Sequence, residues 1–489
     1  MNYEPTIKSV RKHQVPSWFH DAKFGIFIHW SLSSVPAFAD VDQGDLVELQ
    51  KKEGLGAQFF KNPYAEWYLN SLRINGTQTQ DYHEKKYGEN FKYENFVPMF
   101  NKAIERWNPK EWAELFKNAG AKYVVLVTKH HDGFLLWPSN HPNPKKEAYY
   151  ADRDIVGELT SAVKNEGLVM GFYYSGALDW TFNEKPITDL ISLVDNGPTE
   201  EEYIEYVNNH WYELIDKYEP LILWNDIGYP PNTNLSKLFA YFYNNYPEGV
   251  VNDRWMQFSK LTRKIIKFWP IKKLILWLFN RAIYKEGVSM PKPRHFDFQT
   301  PEYTVFKEIR KIKWETVRGI GHSFGYNQFE PENQHLTFEE LVKMFVDVVS
   351  KNGNLLLNVG PMADGTIPKI QKDLLLDFGE WLEKYGEAIY ASQPWIRAEG
   401  ETLDHLNLRF TEKNEILYII LLENPNGIEF TIKSLRLYPD SEILYFNQNR
   451  RDKLEWRQNE LDLTIILPDK IEDNFTHIFK ISPNPRNIN

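Results

Sequence analysis

Eight short apolar runs, at 24–30, 123–129, 168–174, 221–224, 249–254, 296–299, 320–327 and 354–359, recur along the chain, and each ends on chemistry-bearing side chains. His29 closes the first run. The second leads into His130-His131-Asp132-Gly133 and the third ends at Tyr173-Tyr174-Ser175-Gly176. Asn225-Asp226, Asn252-Asp253-Arg254, Thr300-Pro301-Glu302, Phe324-Gly325-Tyr326-Asn327 and Asn358 close the other five. Runs of that length read as buried strands. Capping signals lie between them: Asn108-Pro109 with Glu111, Thr199 with Glu202, and Thr337 with Glu340 each announce a helix. Strand alternating with helix predicts a parallel sheet. Eight such strands predict an α/β architecture closed into a (β/α)8-like TIM barrel, in which the residues just past the strand ends gather on one face. Helix signals are thin after the first strand and before the seventh, so the expected barrel is irregular.

After Tyr385-Gly386 the pattern changes to short runs at 408–410, 416–422, 428–432, 443–445, 461–466 and 475–481, separated by turn signals such as Asn424-Pro425-Asn426-Gly427. This predicts a C-terminal antiparallel β-sandwich at 393–489, behind a catalytic-sized unit at 1–392. A chain of 489 residues is long for one ordinary domain, and two units suit it.

Composition narrows the chemistry. There is no cysteine, which excludes a thiol nucleophile, a thiolate-bound metal and a disulfide framework. A formal charge of −10 argues against general nucleic-acid binding. Aromatic residues make up 15 %, a content that suits both a sugar site, where ring faces stack on C–H surfaces, and a well-packed barrel. The first residues show neither a basic nor an apolar leader segment, so a cytoplasmic enzyme is the simplest expectation, a processed secreted form being the other.

Two carboxylates stand out. Asp226 follows a buried run beside Trp224, where an aromatic wall could hold it against a reacting carbon; capping the next loop is its plainer role. Glu302 follows a strand among apolar and aromatic neighbours, the setting that keeps a general acid protonated near neutral pH; a surface acid is the plainer role. His29, His130 and His131 suit either hydroxyl binding or, with Asp226, a metal-dependent hydrolase, although the ligand spacings that would make the metal reading strong are missing. Glu66 and Trp67 pair an acid with a stacking ring, or simply start an amphipathic helix.

The segment from Trp18 to Trp30, then Lys129-His130-His131-Asp132-Gly133-Phe134, Tyr173-Tyr174-Ser175-Gly176, Leu223-Trp224-Asn225-Asp226 and Asn354-Leu355-Leu356-Leu357-Asn358-Val359-Gly360-Pro361 resemble the α-L-fucosidases of glycoside hydrolase family 29, in the right order from about residue 15 to 392. The resemblance implies a fucosylated oligosaccharide or glycoside as substrate and a retaining mechanism without metal or organic cofactor. It also implies Asp226 as nucleophile and Glu302 as acid/base, with Glu315 and then Glu308 as fallbacks for the acid/base. His29, Glu66, Trp67, His130, His131, Tyr173, Trp224, Arg254 and Phe324 fall where similar enzymes hold the sugar. A fucose-binding protein without turnover is the remaining rival, and the presence of both candidate carboxyls argues against it.

The stretch 256–290 departs from the family pattern. It carries eight basic residues against one acid, with apolar positions at helical spacing in 260–269 and a broader apolar run at 271–283. Neither run reaches the ~20 apolar residues of a membrane span. Two occupants fit such a segment: a protein partner, either its own barrel or another subunit of a homo-oligomer, and an anionic membrane surface bound peripherally.

Overall fold

The computed structural model describes residues 2–42, 44–54, 56–271, 273–274, 292–447, 450–468, 471 and 474–488. Seven parallel strands form one curled sheet: β1 (Phe24–Ile28), β2 (Tyr123–Lys129), β3 (Val169–Ser175), β4 (Ile222–Asp226), β5 (Val250–Val251), β6 (Trp314–Gly319) and β7 (Gly353–Val359). Their order is β5-β4-β3-β2-β1-β7-β6. Helices cover the sheet on the outside, so its strands are buried nearly throughout, which is why they read as continuous apolar runs.

The two edges of this sheet are bridged by an irregular stave, residues 297–303. Asp297 N–H donates to Val251 O of β5 (2.9 Å), while Glu315 and Val317 of β6 donate to Gln299 O (2.8 Å) and Pro301 O (3.0 Å). Pro301 has no N–H, so the ladder cannot run on regularly, and only isolated bridges form there. The expected strand at 320–327 is a correction. The strand at that place in the sheet is β6, and 320–327 is the loop that follows it. Trp314-Glu315-Thr316-Val317-Arg318-Gly319 hides its strand character behind two charged residues, one of which, Glu315, is fully buried.

The helix Pro109–Asn118 is capped by Asn108, and Thr337 and Glu340 close a capping box on Phe338–Ser350. Thr199 is not a cap: the helix Glu201–Tyr218 begins after Glu200. The stretch after β1, where helix signals are thin, holds the helices Leu46–Glu53, Tyr68–Leu72, Gln78–Tyr87 and Phe96–Ala103 and the 3-10 turn Ala65–Trp67.

Beyond Ser392 lie β8 (Gln393–Glu401), β9 (Asn407–Lys413), β10 (Ile416–Leu421), β11 (Glu429–Ile432), β12 (Glu442–Asn447), β13 (Arg450–Leu454), β14 (Trp456–Gln458), β15 (Leu463–Ile466) and β16 (His477–Ser482). They form antiparallel sheets ordered β13-β12-β16-β10-β9-β8 and β11-β15-β14. Strand alternation assigns β10 to two cores at once. Leu417, Ile419 and Leu421 join Phe430, Ile432 and Ile465 of the facing sheet, while Tyr418 and Ile420, with Leu422 just after the strand, join the barrel's core.

Candidate active site

Asp226 ends β4 and its chain turns at once. Ile227 has φ +57° and Gly228 φ +97°. A β-branched residue in the left-handed region is strained, and the surroundings have to hold it there. Asn225 Nδ2 does so by donating to Gly228 O and to Arg254 O, both at 2.8 Å. The turn leaves the Asp226 carboxylate 7 % exposed at the sheet's C-terminal face. It accepts from Tyr173 Oη (2.8 Å) and Ile227 N (2.8 Å), and from Arg254 Nη1 (2.9 Å). Three donors fix both of its oxygens.

Arg254 is itself fixed. Its Nε donates to Thr300 Oγ1 (3.0 Å) and its Nη2 to Thr300 O (2.9 Å), while Asp253 accepts from Thr300 N–H and Oγ1–H. Its guanidinium lies 4.7 Å from the centre of the Trp224 ring, against which Tyr173 stacks at 5.5 Å. Arg254 Nη1 also reaches Glu302 Oε1 at 2.6 Å. Since an oxygen of Asp226 lies 2.9 Å and one of Glu302 2.6 Å from this one nitrogen, those oxygens are at most about 5.5 Å apart.

The histidines are buried and neutral. His29 Nδ1 is 2.6 Å from Asn358 Oδ1, and Asn358 Nδ2 donates to Phe324 O (2.6 Å). The amide so oriented makes Nδ1 the protonated nitrogen and leaves Nε2 as an acceptor. Burial pushes His29 down to about 4. Ser175 Oγ donates to Leu178 O (2.8 Å) and therefore accepts from His131 Nδ1 (2.7 Å), so Nε2 of His131, 3.9 Å from Asp226, is also an acceptor. Burial also holds His130 and His131 well below the ordinary histidine range. Glu66 is the complement. Burial pushes its carboxyl up to about 8, and Oε2 accepts from Gly325 N (2.7 Å), so its other oxygen can carry a proton. The approach is close: a Cβ at 325 would sit 3.1 Å from that oxygen, so a larger residue would crowd Glu66.

All eleven candidates, Asp226, Glu302, His29, Glu66, Trp67, His130, His131, Tyr173, Trp224, Arg254 and Phe324, line one cavity. Glu315 does not line it. It lies beneath the floor, fully buried, accepting from Tyr123 Oη (2.5 Å) and Trp224 Nε1 (3.1 Å), with burial pushing it up to about 7. Glu308 is exposed on the following loop. Asn358, Thr300 and Asp253 orient the site and carried no signal beyond their place at strand ends. The cavity's outer wall, with Leu46, Phe59, Leu190 and Leu193, comes from connections that sequence patterns leave blank. Among the described residues, no three His, Asp or Glu side chains converge as metal ligands.

Residues 1–387 match the family model described as α-L-fucosidase. The chain is 33 % identical to an α-L-fucosidase of Dictyostelium discoideum over 440 residues, covering 87 % of this chain and 81 % of that one. It is also 33 % identical to the human plasma α-L-fucosidase, covering 87 % and 80 % of the two chains. Among solved structures, the α-fucosidase of Thermotoga maritima in complex with fucose superimposes with a TM-score of 0.82 at 42 % identity, covering 98 % of this chain and 100 % of that one. The same enzyme with a mechanism-based inhibitor gives 0.82 at 43 %, covering 98 % and 99 %. Matched over most of its length in sequence and in fold, the chain belongs to the α-L-fucosidase family of glycoside hydrolases.

Proposed function

We propose that the chain is an exo-acting, retaining α-L-fucosidase that removes terminal α-L-fucose from fucosylated glycans or glycosides by double displacement, with Asp226 as nucleophile and Glu302 as general acid/base. The observation that carries the reading is the pair of carboxylates held on one guanidinium nitrogen. Retention calls for carboxyl groups about 5–5.5 Å apart, inversion for about 6.5–9.5 Å, and a shared Arg254 Nη1, which keeps the facing oxygens within about 5.5 Å, supports the shorter spacing. The mechanism-based inhibitor bound by the Thermotoga relative is in keeping with this.

In the first step an Asp226 oxygen bonds to the anomeric carbon as the bond to the departing oxygen breaks, and Glu302 gives that oxygen its proton. In the second, Glu302 takes a proton from water, the water oxygen bonds to the anomeric carbon, and Asp226 leaves. Tyr173 and Arg254 hold the nucleophile throughout. The acceptor nitrogens of His29 and His131 take sugar hydroxyl protons, His130 and Arg254 add polar contacts, and protonated Glu66 donates to a hydroxyl. Trp67, Trp224 and Phe324 cover the apolar ring face and the C5 methyl group. No metal or organic cofactor enters this scheme.

Asp226→Gly tests it. The variant should fold and lose at least about 10³-fold in rate. Azide should restore part of the turnover of an aryl fucoside and leave β-fucosyl azide. Turnover near that of the parent enzyme, or azide product of α configuration, would remove Asp226 from the role. Chelators should leave the parent enzyme's rate unchanged; a loss that added metal reverses would favour a metal hydrolase.

A further inference from the structure

The helix Lys260–Lys267 is capped by Ser259, whose Oγ accepts from Thr262 N–H (3.1 Å), and it is pinned to the body by one face. Arg263 is buried and donates through Nη1 to Gly197 O (2.5 Å) and through Nε to Phe258 O (3.1 Å). Lys267 Nζ pairs with Asp195 Oδ1 at 2.7 Å. This anchoring turns the opposite face outward. Leu261 is 68 % exposed, Ile265 45 %, Phe268 64 % and Trp269 65 %, and Leu274 just beyond is 54 % exposed. Surface helices of soluble proteins bury such a stripe.

Its polar flanks say what the stripe meets. Among the described residues no carboxylate lies within ion-pair distance of Lys260 or Lys264, and Lys273 sits over the Trp269 ring at 4.2 Å. The stretch 256–290 holds eight basic residues and one acid in a chain whose formal charge is −10. A two-fold contact between copies through this face would set those cations against themselves, because such an interface meets its own equivalent. An anionic bilayer instead takes the apolar side chains into its acyl boundary, the indole at the headgroup level and the lysines onto its phosphates.

We infer that the helix Lys260–Lys267, with Phe268, Trp269 and Leu274, is a peripheral membrane-docking surface selective for anionic lipid. It holds the enzyme on a bilayer by a face separate from the catalytic cavity. The helix rests on Leu190–Asn196, whose Leu190 and Leu193 line that cavity, so docking face and outer wall share one support.

The test is co-sedimentation of the full chain with vesicles of phosphatidylcholine alone or with about 30 mol % phosphatidylglycerol, in low salt and in about 0.5 M NaCl, with light scattering alongside. Recovery should be at least about tenfold greater on the anionic vesicles and should fall in high salt. Phe268→Glu with Trp269→Glu, and separately Lys260→Glu with Lys264→Glu, should each abolish it while kcat/KM on a soluble aryl fucoside stays within about twofold. Both changes are on exposed side chains, and circular dichroism confirms folding. Equal recovery on the two vesicle types, no recovery on either, or variants that bind as the parent does would overturn the inference. So would an oligomer in the parent that the Phe268/Trp269 variant dissociates, which would assign the face to a second copy.

Discussion

Arg254 sets the character of the site at the scale of single residues, because one cation pairs with two carboxylates at once. The guanidinium that holds Glu302 is itself immobilised by Thr300 and Trp224. If Glu302 is the acid/base, Glu302→Ala should slow substrates with poor leaving groups by about 10²–10⁴ and activated aryl fucosides far less. Glu315→Ala should lower both alike, since Glu315 reaches the reaction only through Trp224 Nε1; Glu315→Gln, which keeps an acceptor for that N–H, should cost less. The reverse pattern would exchange the two glutamates. Glu66 sets a second expectation. Its pKa is pushed up to about 8, so the O–H donor it offers to the cavity is present below that pH and lost above it. Binding of a fucose-like inhibitor should therefore weaken as pH rises through about 8. Glu66→Gln, which keeps a donor and cannot ionise, should flatten that limb, and calorimetry across the range reads it.

Elements explain what was readable in the sequence and what was not. Strands covered on both faces announce themselves as apolar runs and their last residues line the cavity, so Asp226 and the histidine pair could be found by place alone, while Arg254, also at a strand end, was singled out through the family resemblance. β6 could not, because Glu315 and Arg318 interrupt its run, and the groups that compensate the buried Glu315, Tyr123 and Trp224, come from β2 and β4, far away in sequence. The stave at 297–303 was found because its apolar residues remain, although Pro301 keeps it irregular. Glu66 and Trp67 were noticed only as an acid beside a stacking ring, with a helix start as the plainer reading, and the family resemblance had to single out Phe324: no periodicity marks a 3-10 turn or a loop. The wall formed by Leu190 and Leu193 was missed because its support, Arg263, lies in a stretch that reads as a basic helix face. Arg263→Leu should loosen this wall, raising KM for bulky fucosylated glycans several-fold more than for a small aryl fucoside; equal effects on both would make Arg263 a stability residue only.

Over the whole molecule, buried acids and histidines give stability an optimum. Glu66, Glu315 and Glu330 are pushed up to about 8, 7 and 7, so the folded state keeps protons that the unfolded chain releases above about 4.5. Their contribution is whole below that pH and is lost as pH rises through the folded values. His29 and His210, pushed down to about 4 and 3, work in the other direction: their contribution is present above about 6.5 and is lost as pH falls below it. Between about pH 6.5 and 8 these acids act in one direction, joined by His13, where burial is outweighed by the pairing with Asp297 that raises it above the ordinary histidine value, and Glu66 alone costs about 2 kcal/mol over that window. The thermal midpoint should fall across it, less so in Glu66→Gln, as scanning calorimetry would record. The two-faced strand β10 has a consequence of another kind. Its odd positions fill one core and its even positions the other, so deleting or inserting a single residue at 416–421 would turn both sets inside out together. A reading-frame-preserving indel there would be purged as severely as a truncation, while the turn at 424–427 a few residues away could change length with little harm.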